Sequence, residues 1–354
     1  MHLEKEGDFE MNIGGREIER GTKVKWNFVA AEMTVNKIEV PVTVICGEED
    51  GPIFTVTAGC HPNELIGMAA TIALANELDP KDVKGTIIFV HVMNVMGLQF
   101  KKLNISPLDG VNMNGAFPVE DEIGEDQGKT ALHMGLSPTK MSAKRIFDNF
   151  VKIADWHVDM HGGELNEDLD SNIELLPIGK PVDEKTRKLA RLLLSEKIWE
   201  VPQGTIPQMP NYPGRGSTVA EANHRGVPSV LFEIGGEGRL KQEQVDLVCA
   251  ALKNAFMGTG VLEGEAVVME PKVYVGGNVL FAQRGGLHFI NIKSGDLVKE
   301  GQELGYTIDW NGEVISRDIC PCDGLMTNMV VHGGVNPGDM LFVIANEVDT
   351  KSSI

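Results

Sequence analysis

The stretch PIFTVTAGCHPNELIGMAATIALANEL (52–78), followed closely by GTIIFVHVMN (85–94), decides the reading of the fold. Residues 52–59 are rich in β-branched side chains and end in Gly59, the composition of a buried strand. Leu65, Met68, Ala69, Ile72 and Ala75 then recur at helical spacing. Pro62 suits a helix start, because its missing N–H would have no partner there anyway. Residues 85–94 read as a second strand. Strand, helix and strand within about forty residues make a right-handed βαβ unit in a mostly parallel sheet.

Working outward, ADWHVDMHGG (154–163) and PSVLFEIGG (228–236) read as strands ending in glycines. Helices are expected at 141–154, at DEKTRKLARLLLSEK (183–197) and at KQEQVDLVCAALKNAFMGTG (241–260). The polar stretch 98–140 carries no strong pattern, and a connection that long is usually functional. Beyond residue 262 the chain changes to short strands and glycines without a long helix. The expected organisation is an N-terminal β segment (1–45), an α/β unit (46–262) and a small all-β unit (263–354).

Composition narrows the function. The 354 residues hold 32 Lys and Arg against 51 Asp and Glu, a net charge of −19. Such a surface repels phosphate backbones and anionic membranes, so neither nucleic acid nor membrane is an expected partner. The longest apolar runs are too short to span a bilayer, and MHLEKEGDFE lacks the pattern of a signal peptide. Five cysteines make no disulfide framework. The expected setting is the cytoplasm, and the expected partner is a small molecule, with homo-oligomerisation left open.

Three polar clusters fall at or just after the ends of three expected strands: His61 with Glu64, then His161, then Glu233. In an open α/β sheet that edge is where ligands bind, so separate segments can converge there. Imidazole and carboxylate three residues apart at a helix start share a face. With a third ligand from His161 they would match a catalytic zinc site, leaving Glu233 as candidate base. By spacing alone, a solvated His and Glu is the more common explanation of such a pair. A second His-x-x-Glu, His161-Gly-Gly-Glu164, occurs in the same chain. On the strand 156–161, His157, Asp159 and His161 alternate onto one face. Asp159 is therefore expected to orient a site residue. His157 is read as a core or supporting histidine.

GCHPNE, LDGVNMNGAFP (108–118), DMHGG (159–163) and FEIGGEG (232–238) together resemble the succinylglutamate desuccinylase/aspartoacylase family. These are zinc amide hydrolases related to zinc carboxypeptidases, and the resemblance covers roughly residues 40–260. It implies one zinc ion per chain held by His61, Glu64 and His161, with Glu233 as general base and proton shuttle. It implies a zinc-carboxypeptidase-like (phosphorylase/hydrolase-like) mixed sheet with helices on both faces. Asn112 and Asn114 would line the substrate pocket. The family pattern carries an arginine where Gly115 stands here, and Asn104 lies near another usual arginine. The lost arginine normally grips a substrate carboxylate with a two-pronged contact. Lys101 and Lys102 offer only point charges. Arg215, from another loop, is a candidate substitute, with a plain surface arginine as the alternative.

The tail, residues 285–345, resembles a lipoyl/biotinyl-type barrel-sandwich hybrid. Its hairpin DWNGEVISRD (309–318) has no lysine, so the tail reads as a structural cap rather than a swinging arm. Within the family, the cap-bearing form resembles the branch containing N-acetyl-diaminobutyrate deacetylases. Cys320-Pro-Cys322 reads as isolated cysteines and Cys60 as a small buried side chain. The expected activity is a zinc-dependent deacylase hydrolysing the amide of a small N-acylated amino acid or amine. The alternatives are a carboxypeptidase-like metallopeptidase and a degenerate metal-binding protein.

Overall fold

The computed structural model describes residues 9–119 and 137–347. Residues 1–8 and 348–354, at the two ends of the expected β units, and 120–136 of the polar stretch lie outside the described residues.

Among the described residues the chain builds a thirteen-stranded mixed sheet. The strand Glu49–Ala58 runs parallel to both its neighbours, Lys84–Val90 and Trp156–His161. Ser229–Glu233 lies parallel on the far side of Trp156–His161 and pairs antiparallel with Asn172–Leu175. On the opposite flank Lys37–Cys46 and Thr22–Glu32 add antiparallel strands.

Period-two alternation divides the interior between the two faces of this sheet. Ile87 and Phe89 enter one core with Phe54, Val56 and Val158; Leu74, Leu189 and Val248 fill it from the helices Leu65–Glu77, Val182–Leu192 and Gln242–Thr259. Ile88 and Val90 enter a second core with Ala143 of Pro138–Ile146 and Ala222 of Thr218–His224. Helices therefore cover both faces, as an α/β sheet of apolar strands requires. Gly67 lets the first helix sit close to the sheet, since a Cβ there would lie 2.3 Å from Met160 Cβ.

Some expected boundaries move. The first helix begins at Leu65, so Pro62 lies in the preceding turn rather than in its first helical position. The helix expected through Lys197 ends at Leu192. Leu194 takes a left-handed backbone, and Lys197–Glu200 becomes a strand paired with Ile173–Leu175. That strand and Glu167–Leu169 are too short to show a period of their own.

Strands from beyond residue 262 continue the large sheet. Lys272–Phe281 pairs in parallel with Lys197–Glu200 and antiparallel with Met340–Glu347, beyond which lies Gly324–Val330. A shared core of Trp199, Val219 and Leu231 with Tyr274, Val279 and Val343 ties the two regions together. Gly286–Ile290, Glu303–Ile308, Val314–Ile319 and Gly334–Val335 form a separate four-stranded sheet. Among the described residues no helix is long and apolar enough to cross a membrane.

Candidate metal centre

Register places the polar residues on one face. His157, Asp159 and His161 stand opposite Ser229, Leu231 and Glu233 on the adjacent strand. Glu233 and Leu231 stand opposite Asn172 and Glu174 on the next. The residues between them, such as Val158, Val230 and Ile173, point into the apolar core on the other side. One sheet face thus carries histidines and carboxylates from three strands, at the end where the turn 59–64 leaves the strand Glu49–Ala58.

In that turn His61 and Glu64 meet without help from a helix. His61 Nδ1 is 2.8 Å from Glu64 Oε1, and His161 Nδ1 is 3.2 Å from Glu64 Oε2. The second contact lacks hydrogen-bond alignment, since Glu64 Oε2 has no hydrogen-bond partner among the described residues. The same holds for buried His61 Nε2. One ligand atom from each of His61, Glu64 and His161 lies within 4.8 Å of the others. Two imidazoles and a carboxylate, buried at His161 and Glu64, half-buried at His61 and incompletely satisfied, are a donor set that fits a divalent metal, zinc above all. Glu64 stands at the N-terminal end of the helix Leu65–Glu77 but caps no backbone N–H there. Burial alone would raise its carboxyl, yet the two imidazoles hold it below the usual range.

A hydrogen-bond chain runs behind His161. His161 Nε2 lies 3.2 Å from Asp159 Oδ2, and the Thr57 hydroxyl donates to Asp159 Oδ1 at 2.6 Å. With that proton committed, Thr57 Oγ1 accepts from His157 Nε2, 2.9 Å away. His157 Nδ1 then accepts from the Ser229 hydroxyl at 2.6 Å. Burial pushes His157 down to about 4, so it is neutral and can play both parts. His157 is thus a buried supporting residue and not one of the metal group.

Glu233 borders a cavity of about 390 Å³ that His61, Glu64, His161, Asn112 and Asn114 also line. Burial, with Glu64, Glu174 and Glu167 nearby, pushes its carboxyl well above the usual range against the opposing pull of His161. Asn112 Oδ1 accepts from the Asn114 backbone N–H, which shapes that loop. Arg215 is not among the cavity-lining residues; its guanidinium forks onto buried Glu221 at 2.7 and 2.9 Å. The rival Glu164 is fully buried and accepts from the Asn63 side chain at 2.7 Å and the Asn104 backbone at 3.2 Å, tying two loops together. Cys320 Sγ donates to the Cys322 carbonyl, and Cys60 is buried.

Sequence reasoning missed Asn172, Glu174 and Tyr212, which also line the cavity. Strand pairing reveals the first two, with Asn172 directly opposite Glu233 and Glu174 two residues along; Tyr212 comes from a loop and donates its hydroxyl to Glu174. The region beyond residue 262 contributes Val279, Thr327, Asn328, Met340 and Val343 to the same wall.

A family model for the succinylglutamate desuccinylase/aspartoacylase catalytic domain matches residues 50–257. The chain belongs to that family. The match spans every member of the His61, Glu64, His161 and Glu233 group. The chain is 26% identical over 321 residues to N-alpha-acetyl-L-2,4-diaminobutyric acid deacetylase from Halomonas elongata, covering 88% of this chain and 87% of that protein. Its fold is similar to a succinylglutamate desuccinylase/aspartoacylase from Rhodobacter sphaeroides (TM-score 0.79, 22% identity, 96% of this chain and 100% of that one). It is also similar to the product-bound ectoine utilization protein EutE (DoeB) from Ruegeria pomeroyi (TM-score 0.79, 20% identity, 93% and 96%). At those identities the solved structures speak for the fold. The family assignment makes the chain a deacylase-type hydrolase with a His-Glu-His group able to hold a metal.

Proposed function

We propose that the protein is a zinc-dependent deacylase that hydrolyses the amide of a small N-acylated amino acid or amine. The observation that carries this reading is the convergence of His61, Glu64 and His161 beside Glu233 at one cavity. Zinc held by the three residues would supply Lewis acidity for an acyl carbonyl and for water. Glu233 accepts a proton from the attacking water and delivers it to the leaving amine nitrogen. Asp159 accepts from His161 Nε2 and so keeps Nδ1 turned toward the metal group. Asn112 and Asn114 contact the substrate from the cavity rim. Arg215 braces its loop through Glu221 instead of gripping a carboxylate. We take residues 1–45, 46–262 and 263–354 as the domain division, the last closing one wall of the cavity, and the cytoplasm as the working compartment.

The test is zinc content by elemental analysis together with turnover of N-acyl amines against peptides. Wild type binds one zinc and hydrolyses N-acyl amines, and Glu233→Gln keeps the zinc but loses hydrolysis. A Glu233→Gln variant with full activity would overturn the base assignment. Cleavage of C-terminal residues from peptides would favour a peptidase. Zinc binding without turnover of either class would favour a binding protein.

A further inference from the structure

A second cavity, of about 440 Å³, opens between the start of the helix Val182–Leu192 and the end of the helix Thr218–His224. It shares no lining residue with the cavity at the metal centre. A volume of that order suits a small-molecule ligand. Lys180, Lys185, His224 and Arg225 line it, and among the described residues no Asp or Glu does.

With 51 acidic residues against 32 basic ones, a cationic hollow without an acid runs against the charge of the whole chain. Elsewhere on the surface cations find carboxylates: Lys84 meets Glu49 and Glu263, Arg187 meets Glu200, and Lys253 meets Glu77. The ammonium groups of Lys180 and Lys185 have no ion-pair or hydrogen-bond partner among the described residues. Asp183, which lies between them in the chain, is already held by the backbone N–H groups of Ile178 and Gly179 at 3.1 and 2.8 Å. Burial, with the charge of Arg215 and against the pull of Glu221, pushes His224 below its ordinary value, and Lys180 and Arg225 add to the push. The positive groups around the cavity therefore already act on one another.

The donors select the anion. A carboxylate is best met by a two-pronged guanidinium, whereas ammonium groups meet phosphate as point charges. The Arg225 guanidinium is committed to Glu221 at 3.0 Å and to the Pro118 carbonyl at 2.7 Å. The Asn223 amide is committed in both directions to the backbone of Ser229. What remains is a pair of ammonium groups, and a phosphate monoester near pH 7 carries close to two negative charges.

We propose that this cavity is a site for the phosphate group of a small molecule, held by Lys180 and Lys185, with His224 and Arg225 adding to the positive field. The site stands apart from the deacylase chemistry and does not depend on it. It lies one side chain away from the substrate loop, because the Arg225 contact with Pro118 ends the stretch 108–118 that bears Asn112 and Asn114.

The test is calorimetric titration of the zinc-loaded full chain with inorganic phosphate and with glycerol 3-phosphate at constant ionic strength, with citrate as comparator. Wild type should bind at least one of the two phosphates saturably and more tightly than citrate. Lys180→Ala combined with Lys185→Ala should weaken that binding about tenfold to a hundredfold. Lys37→Ala combined with Lys152→Ala removes the same charge elsewhere and should change it by less than about twofold. All four lysines are exposed, so both variants should keep the wild-type Tm. Tighter binding of inorganic phosphate makes free phosphate the ligand, and binding of the ester at least as tight makes it a phosphomonoester. Phosphate can also meet zinc, and binding there survives the loss of Lys180 and Lys185. That outcome, equal losses in the two double variants, tighter binding of citrate, or no saturable binding of either phosphate would overturn the proposal.

Discussion

Gly115→Arg places in the loop 108–118 the arginine that the family resemblance leads one to expect there, and the structure leaves room for its Cβ. Gly115 is exposed, its backbone is outside the left-handed region, and a Cβ there would meet nothing closer than the Asn112 carbonyl at 3.8 Å. Backbone strain and overpacking are therefore absent, and a surface change of this kind stays within about 0.5 kcal/mol of wild-type stability. The preceding residue, Asn114, lines the cavity, so the new guanidinium arises beside a wall without a described Lys or Arg. Hydrogen bonds to a charged group are each worth about 1.5–3 kcal/mol net, which corresponds to about tenfold to a hundredfold in an equilibrium or rate ratio. The expected result is a gain of that size in kcat/KM for N-acetyl-β-alanine relative to N-acetylbutylamine, with zinc content and Tm unchanged. An unaltered ratio in a folded, zinc-loaded variant would refute the idea that Gly115 marks the missing carboxylate clamp.

Thr57→Val keeps the buried shape but removes the hydroxyl that links His157 to Asp159; stability should fall by about 1–3 kcal/mol in urea unfolding, and zinc affinity by about tenfold to a hundredfold in chelator competition. Unchanged affinity would mean that Asp159 needs no such support. Burial, with the Lys25 charge nearby, pushes His91 down to about 4, below the ordinary value of 6.5, so the unfolded chain takes up a proton first as pH falls. Stability contributed by neutral His91 is complete above pH 6.5 and shrinks toward pH 4, by about 2 kcal/mol at pH 5. His91→Gln should remove that part of the slope between pH 7.5 and 5. Gly67→Ala forces a methyl against Met160 and should cost about 1–3 kcal/mol by thermal unfolding; a neutral result would show that the first helix can shift away from the sheet at little cost.

What the sequence determines here is whatever depends on local pattern. The β-branched composition of 52–59, the apolar run at 85–94, helical spacing in 65–75, and strand ends rich in Gly and polar groups were enough for an α/β sheet; that the sheet is mixed came from the family resemblance and the structure. They also placed His61, Glu64, His161 and Glu233 at one edge of it, because successive strands end on the same side. The motif order carried the family, which the match over residues 50–257 bears out. Tertiary structure decided the rest. Glu174, Asn172 and Tyr212 enter the cavity through strand pairing and loop placement, which join residues far apart in the chain and leave no trace in its periodicity. Arg215 and Glu164 look like binding residues in one dimension, but Glu221 in the first case and Asn63 in the second already engage them in three. The physical reason is the same throughout. Periodicity reports which face a residue takes, whereas a site depends on which other face lies opposite, and that is set by register and packing across the whole fold.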